Sequence, residues 1–139
     1  MAFTYNGLAF ETKLLATWAA FFDLAGWQWS RGVVPVGDWV PDYRVTFECG
    51  HSECNGSHTI LVSVLPVDDL ERVQGHPALS HFYDVPGHAA DAGAVFGNTP
   101  RATYWQMSHG AGGGSEEVSR WCSDEVSLWR RAVSLVSAA

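Results

Sequence analysis

The sequence predicts an α/β (α+β) domain in which a mixed central sheet is flanked by helices. Three observations support this fold class. Apolar residues recur at helical spacing near the N-terminus, short runs rich in β-branched and aromatic residues follow, and a second apolar stripe at helical spacing ends the chain. The chain has 139 residues, of which 47% are hydrophobic. This size and composition predict a single domain, spanning residues 1–139, with a substantial core.

The first half of the chain is predicted to form one helix followed by three strands. The helix covers Asn6 to Ala25, with Gly26 as its C-cap. A short strand over residues 27–34 comes next, and further strands are predicted over 43–48 and 59–65. The helix is expected to be largely buried, because its apolar residues lie on nearly two faces: Leu8, Leu14, Leu15, Trp18, Phe21, Phe22 and Leu24.

The second half is predicted to add a helix, two strands and a C-terminal helix. The first of these helices begins near Pro66 with Asp68 or Asp69 as N-cap, and Pro77 breaks it, with Pro77 to Asp84 as a second helical turn after the break. Strands follow over residues 92–96 and 101–108. A glycine-rich loop then leads to Ser115, the expected N-cap of the last helix. The apolar stripe of this helix consists of Val118, Cys122, Val126, Trp129, Val133 and Val136.

The charge of the chain limits the partners that it can bind. Eight basic and fifteen acidic residues give a formal net charge of −7. This balance disfavours DNA, since nonspecific affinity for nucleic acid comes mostly from Lys and Arg. It is compatible with a protein partner that carries a basic surface. The sequence also lacks an apolar run of about 20 residues and a basic leader segment, so no membrane association and a cytoplasmic location are expected.

A cluster of cysteines and histidines lies between the two central strands. Cys49, His51, Cys54 and His58 fall within ten residues, and sulfur and imidazole nitrogen are the ligands that Zn²⁺ prefers. Four protein ligands would close such a site, so the predicted role of the Zn²⁺ is structural. Two alternatives remain: an ordinary polar loop with reduced cysteines, or a Cys49–Cys54 disulfide, which a reducing compartment disfavours.

A short motif stands at the start of the first central strand, where Val40-Pro41-Asp42 precedes residues 43–48. Together with the aromatic helix upstream, it resembles the small phage-encoded PD-(D/E)XK nuclease-like family. The resemblance implies an αβββαβ core, followed here by a further strand and helix. It also implies that Asp42 is a Mg²⁺ ligand and that the next strand carries Glu-x-Lys. This chain has Ser63, Val64 and Leu65 at those three positions.

This departure from the family pattern implies a degenerate active site. One carboxylate cannot hold a catalytic Mg²⁺ well, and the alternative role for Asp42 is that of a turn residue after Pro41. The leading interpretation is therefore a phage-encoded, inactive nuclease-like protein that binds a host or phage protein. Two alternatives stay open: a Mg²⁺-dependent DNA nuclease with a rearranged active site, in which Glu48 is a migrated ligand, and a zinc-stapled regulatory binding module.

Two weaker signals lie in the middle of the chain and before its last helix. Three histidines and two aspartates in the middle of the chain are consistent with acid–base chemistry, although such residues are more often surface or capping groups: His76, His81, His88, Asp84 and Asp91. The glycine-rich loop could bind an anion at the start of the last helix, but a flexible turn is the better interpretation. His109, directly before that loop, is the residue of interest there.

Overall fold

The computed structural model describes residues 2–51, 54, 56–110 and 112–138. Within these ranges the chain forms two α-helices and nine β-strands. The first half contains β1 (Phe3–Tyr5), β2 (Leu8–Phe10), α1 (Lys13–Ala25), β3 (Gln28–Ser30), β4 (Tyr43–Glu48) and β5 (Ser57–Val64). The second half contains β6 (Ala92–Phe96), β7 (Thr103–His109), β8 (Gly112–Glu116), α2 (Glu125–Leu135) and β9 (Ser137–Ala138). The predicted mixed α+β class is confirmed.

The strands form a large sheet and a small one. In the large sheet β3 to β8 lie side by side in chain order, and β1 pairs with β2 and β9 in the small sheet. Neighbouring strands of the large sheet are antiparallel except β5 and β6, which are parallel. The parallel pair requires a long crossover, formed by residues 65–91. The predicted strands over 43–48 and 92–96 are found at those bounds.

The N-terminal segment differs from the prediction of one helix over residues 6–25. β1 and β2 form a hairpin with a two-residue turn at Asn6 and Gly7, whose φ angles are 50° and 76°. An Asn-Gly pair favours this turn because both central residues need positive φ. The helix begins only at Lys13, after Thr12, whose hydroxyl accepts a hydrogen bond from the Leu15 N–H. Gly26 ends it with φ 77°, as predicted.

Both α-helices pack on one face of the large sheet. Trp18 of α1 is completely buried, its ring centroid lies 4.5 Å from that of Trp129 on α2, and its indole N–H donates to the Gly97 carbonyl. Alternate residues of the strands complete this core, which is the main one of the domain. Its strand residues include Tyr43, Val45, Phe47, Ile60, Val62, Phe96, Trp105 and Met107.

The opposite face of the large sheet is covered by the crossover, so the α-helices flank the predicted sheet on one face alone. The helix predicted from Pro66 consists of two short 3₁₀ turns, Leu70–Val73 and Pro77–Ser80, and Asp69 caps the first. The second turn begins at Pro77, as predicted, and ends at Ser80. A smaller apolar cluster lies beneath these turns: Trp39, Leu61, Ala78, Val85, Ala90 and Val95.

The glycine-rich segment and the last helix also differ from the prediction. Residues 112–116 form β8, an edge strand paired with β7, so Ser115 is a strand residue and not a helix N-cap. α2 begins ten residues later, at Glu125, and its buried side chains are Glu125, Leu128 and Ala132. None of these three belongs to the predicted stripe: Val126 is exposed, and Trp129 is partly buried against the core. In the part of the chain that the structure describes, neither helix has the length and apolar character to cross a bilayer.

Candidate metal centre

Four side chains that could hold a metal ion meet at one end of the large sheet. They are Cys49, Cys54, His58 and His109, and their ligand atoms all lie within 4.8 Å of one another. Cys49 directly follows β4, Cys54 lies in the loop between β4 and β5, His58 is the second residue of β5, and His109 is the last residue of β7. The cluster thus joins the β4–β5 connection to the far end of β7.

The sheet topology explains why residues so distant in sequence meet. β5 runs parallel to β6 and β6 runs antiparallel to β7, so the start of β5 and the end of β7 lie at the same end of the sheet. His58 projects on the helix-covered face because it alternates with Ile60 and Val62. His109 projects on the same face because it alternates with Met107.

Two distances within the cluster, both from His109, fit tetrahedral coordination by sulfur and nitrogen. His109 Nδ1 lies 3.5 Å from Cys49 Sγ and 3.6 Å from Cys54 Sγ. Bond lengths of about 2.3 Å to sulfur and about 2.0–2.1 Å to nitrogen place two tetrahedral ligands roughly 3.5 Å apart. Two sulfur ligands would be about 3.8 Å apart by the same geometry. The observed separations are therefore those of atoms that can share one ion.

Main-chain groups support both sulfur atoms. The Gly110 N–H donates to Cys54 Sγ at 3.3 Å. Burial raises the pKa of the Cys49 thiol and the nearby Cys54 thiol adds to this effect, whereas a hydrogen bond from the His51 main chain lowers it. A metal ion would take the place of the thiol protons, because thiolate is the ligating form of cysteine. No disulfide joins the three cysteines among the described residues.

His58 carries the clearest sign of a missing ligand. Only 4% of this residue is exposed, and neither of its ring nitrogens has a hydrogen-bond partner among the described residues. Buried polar atoms are normally satisfied, since burying one without a partner is costly. Aromatic rings surround the imidazole: the centroids of Trp121, His109 and Phe47 lie 5.5, 5.6 and 5.9 Å away. A metal ion would satisfy one of the two nitrogens.

Three of the four ligands predicted from local spacing belong to this cluster, and His109 is its fourth member. The His51 ring packs over Gly110, and its centroid lies 5.3 Å from that of His109. His109 lies 60 positions after Cys49, so no local spacing could identify it. The signal that could have found it is alternation along β7, in which Trp105, Met107 and His109 share one face.

Asp42, the residue implied by the nuclease resemblance, has a structural hydrogen bond. Its Oδ2 accepts from the Val64 N–H at 2.7 Å, and its own N–H donates to the Val62 carbonyl at 2.8 Å. Burial raises the pKa of Asp42 above its ordinary value, the bond from Val64 lowers it, and the charge of Glu11 raises it. Asp42 and Glu11 line one pocket of about 350 Å³.

The side chains at the Glu and Lys positions of the nuclease motif make contacts inside the fold. Ser63 is buried, and its hydroxyl accepts a 2.7 Å hydrogen bond from the Trp39 indole. Leu65 packs against the apolar cluster beneath the crossover. Glu48 ends β4, about 20 Å along the strand from Asp42 at roughly 3.4 Å per residue, so it cannot share a metal with Asp42.

The central histidines do not converge on one site. His76 caps the second 3₁₀ turn, with Nδ1 accepting from the Ala78 N–H, and burial lowers its pKa. The His81 ring stacks on Trp39 at 5.6 Å between centroids. The His88 carbonyl accepts from Arg44. Asp91 lies instead at the metal centre, 3.4 Å from His58 Nδ1.

Comparisons with protein-family models, with curated proteins and with solved structures found no significant match to this chain.

Proposed function

We propose that this chain is a non-catalytic binding domain and that a structural Zn²⁺ ion holds one end of its large sheet together. The observation that carries the proposal is the convergence of four ligand atoms, two sulfur and two nitrogen, from separate segments of the fold. Four protein ligands leave no coordination position for water, which is the arrangement of structural and not catalytic zinc sites.

The chemistry of the ligands supports zinc over the hard cations. Thiolate and imidazole suit Zn²⁺, whereas Mg²⁺ and Ca²⁺ take oxygen ligands. The buried His58 and the two cysteines supply no oxygen. The tetrahedral spacing of His109 Nδ1 and the two sulfurs argues against a square-planar Cu²⁺ or Ni²⁺ centre.

We further propose that the scaffold is a PD-(D/E)XK nuclease-like fold, of phage origin, that has lost its chemistry. Support comes from the position of Asp42 at the entry to β4, from Ser63 bonded to Trp39, and from Leu65 packed in an apolar cluster. Neither Ser63 nor Leu65 supplies a metal-binding carboxylate or a positive charge for a phosphate. The net charge of −7 favours a host or phage protein with a basic surface as the partner, and a reducing cytoplasm would keep the thiols available for zinc.

The metal content of purified protein tests the zinc centre. We expect one zinc per wild-type chain, because the ligand set is complete. His109→Ala should lose most of this zinc, while His51→Ala should keep it, because the His51 ring lies over Gly110 and outside the group of four ligand atoms. Elemental analysis of the three proteins after dialysis is the measurement. The two histidine variants are matched controls for each other, and zinc lost from His51→Ala but kept in His109→Ala would contradict the ligand set.

A metal-dependent nuclease is the second candidate, favoured by the pocket that Asp42 shares with Glu11. Incubation of the same samples with duplex and single-stranded DNA and Mg²⁺ or Mn²⁺ distinguishes the two functions. The binding domain should leave DNA intact. On an affinity column it should retain a protein partner better than the zinc-free His109→Ala protein does. Cleavage that Asp42→Ala abolishes would overturn the non-catalytic proposal without affecting the zinc centre.

A further inference from the structure

We infer that Asp91 is a positioning residue of the metal centre: it holds the His58 ring through Nδ1, so that Nε2 is the atom that binds the metal. The inference rests on the proposed zinc centre and adds a residue that lies outside the ligand set. It assigns the metal-binding nitrogen of each histidine, with His58 binding through Nε2 and His109 through Nδ1.

Asp91 is fixed to β5 by two hydrogen bonds to one residue. Its N–H donates to the Thr59 carbonyl at 2.7 Å, and its Oδ2 accepts from the Thr59 N–H at 2.8 Å. Thr59 is the neighbour of His58 in β5. Because the main chain and the carboxylate of Asp91 are each bonded to Thr59, the position of the carboxylate relative to the His58 ring is restricted.

The same carboxylate oxygen lies 3.4 Å from His58 Nδ1. A neutral imidazole carries one N–H, and the other nitrogen is an acceptor or a metal ligand. The negative charge of Asp91 favours the proton on Nδ1, which leaves the lone pair on Nε2. Among the described residues, neither ring nitrogen of His58 has a hydrogen-bond partner. A movement of about half an ångström would bring Nδ1 and the Asp91 oxygen to normal hydrogen-bond distance.

The second histidine has the opposite arrangement. His109 Nδ1 lies 3.5 and 3.6 Å from the two sulfur atoms, so Nδ1 is the nitrogen placed to share their ion. The two imidazoles therefore bind through different nitrogens, and the carboxylate of Asp91 lies beside His58. A carboxylate that accepts the distal N–H of a ligating histidine orients the ring and raises its basicity, and its loss typically costs about 10–100-fold in metal affinity.

The test compares Asp91→Asn with Asp84→Asn, a change at an exposed aspartate of the same crossover. Zinc affinity is measured by competition with a chromophoric chelator, and the ligating nitrogens are identified by long-range ¹H–¹⁵N spectra of the zinc-loaded proteins. We expect Asp91→Asn to weaken zinc binding about 10–100-fold and to shift the His58 ring resonances. Asp84→Asn should change neither.

A purely structural role for Asp91 predicts a different pattern. The loss of the bond to the Thr59 N–H would lower the melting temperature of zinc-loaded and zinc-free protein equally, without changing the His58 resonances. Wild-type spectra provide a test that needs no variant, since Nδ1 ligation by His58 would overturn the inference. Unchanged zinc affinity in Asp91→Asn would overturn it too. Absence of zinc from the wild-type protein would instead refute the proposed function itself.

Discussion

Asp42 shows how one residue of a recognisable motif can have a structural role. Its carboxylate accepts a hydrogen bond from the Val64 N–H where β4 begins. An ionised carboxylate at this half-buried position is disfavoured by burial, which raises its pKa, and the charge of Glu11 adds to the effect. The Asp42 side chain therefore contributes to the fold as a hydrogen-bond acceptor more than as a negative charge.

The structural role of Asp42 predicts different changes in stability for two substitutions. Asp42→Ala leaves the Val64 N–H without its acceptor and should lower the free energy of unfolding by about 1–3 kcal/mol. Asp42→Asn keeps an acceptor oxygen and removes the ionisable group, so it should be close to wild type or more stable at pH 7. Urea unfolding of the three zinc-loaded proteins measures both changes.

The pH dependence of Asp42→Asn follows from the raised pKa. Below the ordinary value of 3.8 the carboxyl is protonated in folded and unfolded protein, so its ionisation does not affect stability. As the pH rises through the folded pKa, the unfolded state is favoured by ionisation and wild type loses stability relative to Asp42→Asn. The difference between the two proteins should therefore grow from acid to neutral pH, while the pH dependence of the metal cancels. A difference that shrinks over this range would contradict the raised pKa.

The candidate site could be predicted from the sequence only where its residues are close together. Cys49, Cys54 and His58 are recognisable because a ten-residue segment between two strands contains them. His109 required the strand order, because β7 reaches the cluster only through the parallel pairing of β5 with β6. Local spacing indicated His51 instead, because a spacing pattern cannot identify a ligand that lies on a distant strand of the sheet.

At the scale of elements, the sequence predicted the strands of the large sheet better than the chain termini. β4 and β6 were predictable since each is a short apolar or alternating run with clear ends. The hairpin of β1 and β2 was missed because Leu8 also fits the helical stripe of α1. Its Asn6-Gly7 pair was the stronger local signal. The strand β8 was missed because three successive glycines favour a flexible loop.

The conformation of β8 depends on glycine at one position more than at its neighbour. Gly113 has φ 155°, and a Cβ there would lie 2.5 Å from the Met107 carbonyl oxygen. Gly113→Ala should therefore cost at least about 2 kcal/mol, from strain and from displacement of β7. Gly112→Ala is the control, because among the described residues, its chain neighbours apart, no atom lies within 4 Å of its Cβ position, and it should change stability by less than about 0.5 kcal/mol. Thermal unfolding measures the stability of the two variants. Equal losses would mean that the close packing of β8 on β7 does not contribute to stability.

At the scale of the whole molecule, the two faces of the large sheet are stabilised by different means. The face under α1 and α2 buries large aromatic side chains, including Trp18, Phe22 and Trp105. These rings are expected to keep the domain folded without any ion. The opposite face is covered by the crossover and its short 3₁₀ turns. The candidate metal centre lies at one end of the sheet, on the face that the helices cover.

Removal of zinc by a chelator is therefore expected to open one end of the molecule before the rest. The melting temperature should fall, because zinc bound only to the folded state stabilises it by several kcal/mol at saturating concentration. Amide hydrogen exchange should become faster first at Cys49 and Gly110, whose N–H groups bond to the Gly56 carbonyl and to Cys54 Sγ. Exchange in the middle of β5 should change little. Uniform acceleration throughout the domain would show that the ion supports the whole fold.

The distribution of the ligands along the chain has a consequence for protein synthesis. Cys49 and His109 are 60 positions apart, and three of the four ligands leave the ribosome well before the last. A nascent chain that ends before β7 can offer an ion only an incomplete and weaker set of ligands. Full coordination thus waits until β7 has been translated and has paired with β6, so the arrival of the ion would mark the completion of the sheet and not its beginning.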